Sequence, residues 1–252
     1  MSLTLLCGLP GSGKSLYLLQ LGARLANKFR LGIVTNVPLD YVAFRRYCGM
    51  CGYHWLGHQI DTHNVVSKPG LESADELYSY HNCICIVDEL GIFFNAREYA
   101  KMSKKVIYDL AQHRKSGLHI VGACQYFEQV DRSFRQLCNT AIHCSGITVY
   151  DRHLRNEKLI WKNYFWFTPK NYESWMADKK AQRPGPGGFV RTRFQYTQKV
   201  ESGRLKAVDY QAFKCFKSFN RLESAKAFDN PYSISLFQEV NYANFPIFSS
   251  GK

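Results

Sequence analysis

The sequence predicts an α/β fold, a parallel sheet flanked by helices, with an added β-rich C-terminal region. Three observations predict it. Apolar strand-like runs alternate with helix-period segments over roughly the first 150 residues. A glycine-rich loop, residues 8–15, sits between the first apolar run and the first such helix. A later apolar run, residues 83–88, ends in two adjacent acids, Asp88 and Glu89.

Residues 3–7 (LTLLC) read as a short buried strand. A helix is expected from Lys14 to Lys28, because Leu16, Leu19, Leu21 and Leu25 recur roughly three and four apart. Residues 31–36 (LGIVTN) predict a second strand, ended by Pro38. Residues 39–64, rich in Gly, His, Cys and Tyr, are expected to be irregular. Residues 73–81 predict a short capped helix. CICIVD (83–88) predicts a strand buried on both faces. Only the 31–36 strand is counted between the glycine loop and this one. A helix is expected over 98–116, stopping at Gly117. Residues 118–125 predict a buried strand, 130–138 a short helix, and 140–151 one or two strands. Strand–helix alternation of this kind makes the sheet parallel.

After about residue 152 the character changes. WKNYFWF, FVRTRFQYT and AFKCFKSF alternate aromatic and polar residues, which predicts antiparallel strands. RPGPGG (183–188) reads as a loop or linker. The domain reading is a core over 1–152, a β-rich aromatic and basic extension of the same domain over 153–220, and a tail over 221–252.

Composition narrows the setting. Hydrophobic residues are 46% of the 252, so the chain is globular, not disordered. The 33 Lys and Arg against 20 Asp and Glu leave +13, which favours an anionic partner such as nucleic acid or an acidic membrane surface. Cys83, Cys85 and Cys124 lie in apolar runs and read as small buried hydrophobes. The N-terminal segment lacks the pattern of a signal peptide, so a reducing cytoplasm is expected. No window reaches the roughly 18 to 20 apolar residues of a membrane span.

Gly8-Leu9-Pro10-Gly11-Ser12-Gly13-Lys14-Ser15 matches G-x-x-x-x-G-K-S/T, the Walker A pattern. Its physics is that main-chain N–H groups ring the phosphates while a helix N-terminus adds positive potential. Gly8 to Leu16 are therefore the expected nucleotide contacts. Lys14 is expected to reach the β- and γ-phosphates of ATP, and Ser15 to ligate Mg²⁺. The chain is thus expected to be a P-loop NTPase of RecA-like class. Asp88 and Glu89 close a buried strand at the end where open α/β sheets bind ligands, in the Walker B position. Asp88 is expected to hold the Mg²⁺, and Glu89 to take a proton from the attacking water. Gln125, at the next strand's end, is expected to hydrogen-bond that water or the γ-phosphate. Arg114 and Arg135 are candidates for reaching a neighbouring subunit's nucleotide; the alternative is that either is a solvated surface residue.

Two further patterns stand apart. Cys48, Cys51, His54 and His58 spell C-x2-C-x2-H-x3-H, zinc-type ligands at a spacing shorter than in a finger. The competing reading is a glycine-rich insertion with incidental Cys and His. Aromatics interleaved with cations over 161–219 suit either a core-packed sheet face or the stacking of single-stranded bases.

The ordered set GLPGSGKS, TNVPL, CICIVDE, QHRKSGLHIVGACQ, VDRSFRQL and AFKCFKSFN resembles the zonula occludens toxin-like (Zot) family, over roughly residues 1–220. That family includes the assembly ATPases of filamentous phages. The resemblance implies an ATP-hydrolysing motor for assembly or export of a single-stranded DNA phage. It also implies a homo-oligomeric ring at the cytoplasmic face of the host inner membrane. Its partners would be phage single-stranded DNA, or coat and packaging proteins, and membrane-associated assembly machinery. Family members commonly continue into a membrane span, and this sequence departs there. Two other functions stay open: a non-motor nucleotide-binding switch or toxin-like module, and a small-molecule kinase. Asp88, Glu89 and Gln125 suit water activation better than transfer to an acceptor.

Overall fold

Strand β1 (Leu3–Cys7) is buried along its whole length, and its side chains divide between two cores. Leu3, Leu5 and Cys7 enter one core and Leu6 the other, the two-residue period of a strand covered on both faces. The computed structural model describes residues 2–67, 80–92, 94, 117–151, 156–181 and 196–216. The expected helix over 98–116 and most of the one over 73–81 lie outside the described residues, as do Arg114 and the tail.

Helix α1 (Lys14–Phe29) follows the glycine loop and sends Leu16, Leu18, Leu19, Leu21 and Ala23 into one core. Strand β2 (Gly32–Thr35) comes next. The 39–64 segment, expected to be irregular, holds two helices, α2 (Tyr41–Met50) and α3 (His54–Asp61). Asp40 caps α2 by accepting the Ala43 N–H at 2.9 Å, and Phe44, Tyr47 and Cys48 bury its inner face. The abundant Gly, His and Cys masked that helical spacing. A short strand β3 (Val65–Ser67) then pairs with β2, so among the described residues two strands, not one, separate the glycine loop from β4 (Cys83–Val87).

Strand β5 (His119–Cys124), helix α4 (Arg132–Leu137) and strand β6 (Thr140–Asp151) complete the first half. Strand β7 (Asn156–Phe167), helix α5 (Pro169–Ala181), strand β8 (Lys199–Arg204) and helix α6 (Ala207–Lys214) follow. The eight strands among the described residues form one sheet in the order β3-β2-β4-β5-β1-β6-β7-β8. The pairs from β3 to β6 are parallel, and β6-β7 and β7-β8 are antiparallel. One strand, β5, separates the strand before the glycine loop from the strand with the acidic end. This is a RecA-like arrangement of a mostly parallel sheet between helices.

The region after residue 152 is less purely β than expected. Its described part contains α5 and α6 besides β7 and β8. AFKCFKSF does not begin a strand: Ala212 to Lys214 end α6, where Ala212 is buried and Asp209 closes the first turn. Tyr172 and Trp175 of α5 pack into the second core, with the Trp175 ring 5.3 Å from that of Phe167. No helix among the described residues is long and apolar enough to cross a membrane.

Asp209 anchors this second half to the first. Its carboxylate, only 1% exposed, accepts from Lys162 Nζ on β7, from Gln20 Nε2 on α1 at 2.7 Å and from the Lys206 N–H at 2.7 Å. Burial opposes its ionisation, but the hydrogen bonds from Lys162, the Lys206 backbone and Gln20 outweigh it and lower its pKa. Asp209→Ala, which strips Lys162 and Gln20 of that partner, is expected to cost about 2–4 kcal/mol in urea unfolding. A lowered folded pKa places Asp209's contribution at full strength above about pH 4, the unfolded carboxylate value, and removes it as pH falls through the folded value. Asp209→Asn is therefore expected to flatten the acid limb of stability against pH.

Candidate functional site at the phosphate loop

The glycine loop runs from the end of β1 into α1, whose N-cap is Gly13 at φ 83. Gly8 sits where a side chain has no room: a Cβ there would lie 2.3 Å from the Cys144 carbonyl of β6. The loop closes on itself through Ser12 N–H to Leu9 O at 3.2 Å. Its start is pinned to β5, Gly8 N–H donating to Gln125 O at 3.3 Å. Gln125 is thereby placed beside the loop, half-buried.

Lys14 is buried at 8% exposure, and its ammonium donates to Leu9 O at 3.2 Å. A cation held inside a loop of main-chain dipoles suits an anion. The Ser12 hydroxyl is buried with no hydrogen-bond partner, a donor left over for an oxyanion. Leu16 contributes main chain only, since its side chain is in the core. Leu9 and Pro10 are exposed at the loop's tip.

Ser15 Oγ donates to Asp88 Oδ2 at 2.7 Å. A hydroxyl and a carboxylate in contact form an oxygen donor pair of the hardness Mg²⁺ prefers. Asp88 is gripped from the other side by Asn36, one residue past β2. Asn36 Nδ2 donates to Asp88 O at 2.9 Å, and Asn36 Oδ1 accepts the Asp88 N–H at 2.8 Å. Glu89 is exposed, with φ at 52, a left-handed conformation that costs a non-glycine residue about 1–3 kcal/mol. Two hydrogen bonds hold it there: its N–H donates to Asp88 Oδ1 at 3.0 Å, and its carbonyl accepts from Ile92 N–H at 2.9 Å.

The C-terminal half roofs the loop, which the sequence pattern did not reveal. Tyr164 of β7 donates from its hydroxyl to Gly13 O at 3.4 Å and stacks on Tyr17 of α1, ring centres 3.7 Å apart. Tyr17 donates to Glu201 of β8 at 2.7 Å. Burial raises the pKa of both phenols, so both stay donors. Burial works against the Glu201 carboxylate, but Lys199 and Tyr17 hydrogen bonds prevail and lower its pKa. Only register could have revealed these contacts, because they join residues about 150 and 180 positions apart.

The other candidates fall elsewhere. Arg135 is bound within the chain: Nη1 meets Glu173 at 2.7 Å, Nε donates to Val130 O at 3.0 Å, and the guanidinium lies over Phe127. Cys48, Cys51, His54 and His58 do not come together, and no group of three or more His, Cys, Asp or Glu among the described residues forms a metal site. The reason is helical. Cys48 points into the core from α2, while His54 and His58 are exposed on α3. Burial, and then the neighbouring Cys51, push the Cys48 thiol up to about 12, the opposite of a thiolate ligand. Of the aromatics, Tyr164, Phe165, Phe167 and Phe216 are core residues.

No curated protein matches the chain in sequence. Among solved structures it is similar to the N-terminal domain of zonular occludens toxin from Neisseria meningitidis, at 16% identity and TM-score 0.45, covering 85% of this chain and 98% of that one. It is also similar to the genome packaging NTPase B204 from Sulfolobus turreted icosahedral virus 2 in complex with AMPPCP, at 12% identity and TM-score 0.43, covering 67% and 93%. A third similarity is to the flagellar accessory protein FlaH from Methanocaldococcus jannaschii, at 10% identity and TM-score 0.44, covering 66% and 78%. The family model described as Zonular occludens toxin (Zot) matches residues 2–157, which hold the phosphate loop, Asn36, the acidic pair and Gln125, and the chain belongs to that family.

Proposed function

We propose that this chain binds ATP with Mg²⁺ and hydrolyses it as the motor for assembly or export of a filamentous, single-stranded DNA phage. The observation that carries the reading is the 2.7 Å contact between Ser15 and Asp88, which brings the two oxygen donors of a Walker-type site together. Membership of the Zot family supports the assembly role, and the +13 charge supports an anionic partner such as phage DNA. In this reading the chain works as a homo-oligomeric ring with membrane-associated machinery at the cytoplasmic face of the host inner membrane.

The residues divide the work. Main-chain N–H groups of the 8–16 segment, Pro10 having none, and the Lys14 ammonium bind the phosphates, and the unpartnered Ser12 hydroxyl adds a donor. Ser15 and Asp88 would hold Mg²⁺, which neutralises phosphate charge when bound. The Glu89 carboxylate accepts the proton of the attacking water, and its exposed position leaves it open to that water. Gln125 orients the same water or the γ-phosphate. Arg114 is the proposed supplier of positive charge to a neighbouring subunit's nucleotide.

Lys14→Ala is expected to abolish hydrolysis and weaken ATP binding. Glu89→Gln is expected to preserve binding while kcat falls by about 10²- to 10⁴-fold, the range of a lost general base. Equal turnover in both variants and the parent would rule out the site. Steady-state turnover with and without single-stranded DNA separates the functions: stimulation fits the motor, whereas binding without turnover fits a nucleotide switch. Gly8→Ala forces a methyl onto the Cys144 carbonyl and is expected to cost about 1–3 kcal/mol in thermal unfolding.

A further inference from the structure

The last rung of the ladder between β2 and β4 is made by a side chain. Main-chain pairing of these strands runs from Gly32 with Cys83 to Thr35 with Ile86. One residue on, the Asn36 carboxamide takes over and forms two opposed hydrogen bonds with the main chain of Asp88, at 2.9 and 2.8 Å. An amide is the side chain that satisfies a peptide N–H and C=O at once, since it carries both donor and acceptor. A carboxylate lacks the donor, and a lysine the acceptor.

The grip falls where the chain has reason to move. Asp88 is the first residue past β4 and is followed by Glu89 in the left-handed region. The two Asn36 hydrogen bonds hold the Asp88 main chain next to that strained residue. Its carboxylate has two duties: Oδ2 accepts from Ser15 and Oδ1 accepts from the Glu89 N–H. Rotation of the Asp88 main chain would disturb both. Asn36 touches neither Ser15 nor Glu89 in any of these hydrogen bonds, so its influence passes through Asp88.

We infer that Asn36 is a positioning residue for the metal-binding carboxylate: it clamps the Asp88 main chain so that the side chain faces Ser15. The inference rests on the proposed Mg²⁺–nucleotide site. It makes Asn36 the outer support of a carboxylate ligand, and removing such supports commonly lowers metal affinity by about 10- to 100-fold.

The test separates metal from nucleotide. Mn²⁺ affinity is measured by electron paramagnetic resonance in the presence of a non-hydrolysable ATP analogue, and analogue affinity is measured separately with EDTA. Asn36→Ala and Asn36→Leu are compared with the parent, and Ile33→Val, a buried change on the same strand, serves as a stability control. The expected result is a loss of Mn²⁺ affinity of about tenfold or more in both Asn36 variants. Analogue binding in EDTA should stay within about twofold of the parent, and Ile33→Val should leave both affinities unaltered. Parental Mn²⁺ affinity in the Asn36 variants would overturn the inference and leave the proposed function standing. So would an equal loss of analogue binding in EDTA, which would make Asn36 a general support of the fold. Failure of the parent itself to bind the analogue and Mn²⁺ would overturn the proposed function and this inference with it.

Discussion

Ser15 and Asp88 belong to elements that leave the sheet from β1 and β4, and β5 lies between those strands. Two strand spacings separate them, about 9.5 Å at the level of the sheet. Yet their side chains meet at 2.7 Å. The loop makes this possible by carrying the start of α1 sideways, so that the helix packs on β4 and β5. Gly22 allows the close approach: a Cβ there would lie 2.3 Å from Ile86 Cδ1 on β4. The site is thus tied to how near α1 lies to β4, and Gly22 lets the Ile86 side chain fill the space between them.

The second constraint comes from the far half of the chain. The β6–β7 hairpin continues the sheet beyond β1, and its residues close over the phosphate loop. Cys144 presents its carbonyl to Gly8, while Tyr164 reaches Gly13 O and stacks on Tyr17. An aromatic stack of this kind contributes about 0.5–1.5 kcal/mol beyond its buried area. Glu201 on β8 holds Tyr17, and Asp209 on α6 holds α1 through Gln20. The C-terminal region therefore supports the loop and α1 from the flank, and displacement of β7 or β8 would be felt at Gly13.

Much of the architecture was legible in the sequence because its signals are local. A short, mostly apolar run stopped by a glycine loop is too brief for a helix and suits a buried strand, and CICIV before two acids carries the same information. Residues 39–64 hold helices against expectation because their Gly, His and Cys content obscures a helical spacing. Asp40 followed by Phe44, Tyr47 and Cys48 is a capped amphipathic helix whatever its glycines suggest. Of the two readings of Cys48, Cys51, His54 and His58, the incidental one fits the fold: Cys48 faces the core from α2, while His54 and His58 are exposed on α3. In AFKCFKSF an alternating pattern concealed a helix end, because a few residues do not distinguish the two periods.

By itself the sequence determined the glycine loop between β1 and α1, the strand that carries Asp88 and Glu89, and the alternation that makes the sheet parallel. Each of these is written in neighbouring residues whose backbone preferences and burial are short-range. Tertiary structure decided which strand ends become neighbours, that an asparagine past β2 grips Asp88, and that tyrosines from both halves of the chain stack beside the loop. Such contacts join residues 52 to 184 positions apart. They depend on sheet order and register, and a shift of one residue in β7 or β8 would send Tyr164 or Glu201 to the opposite face.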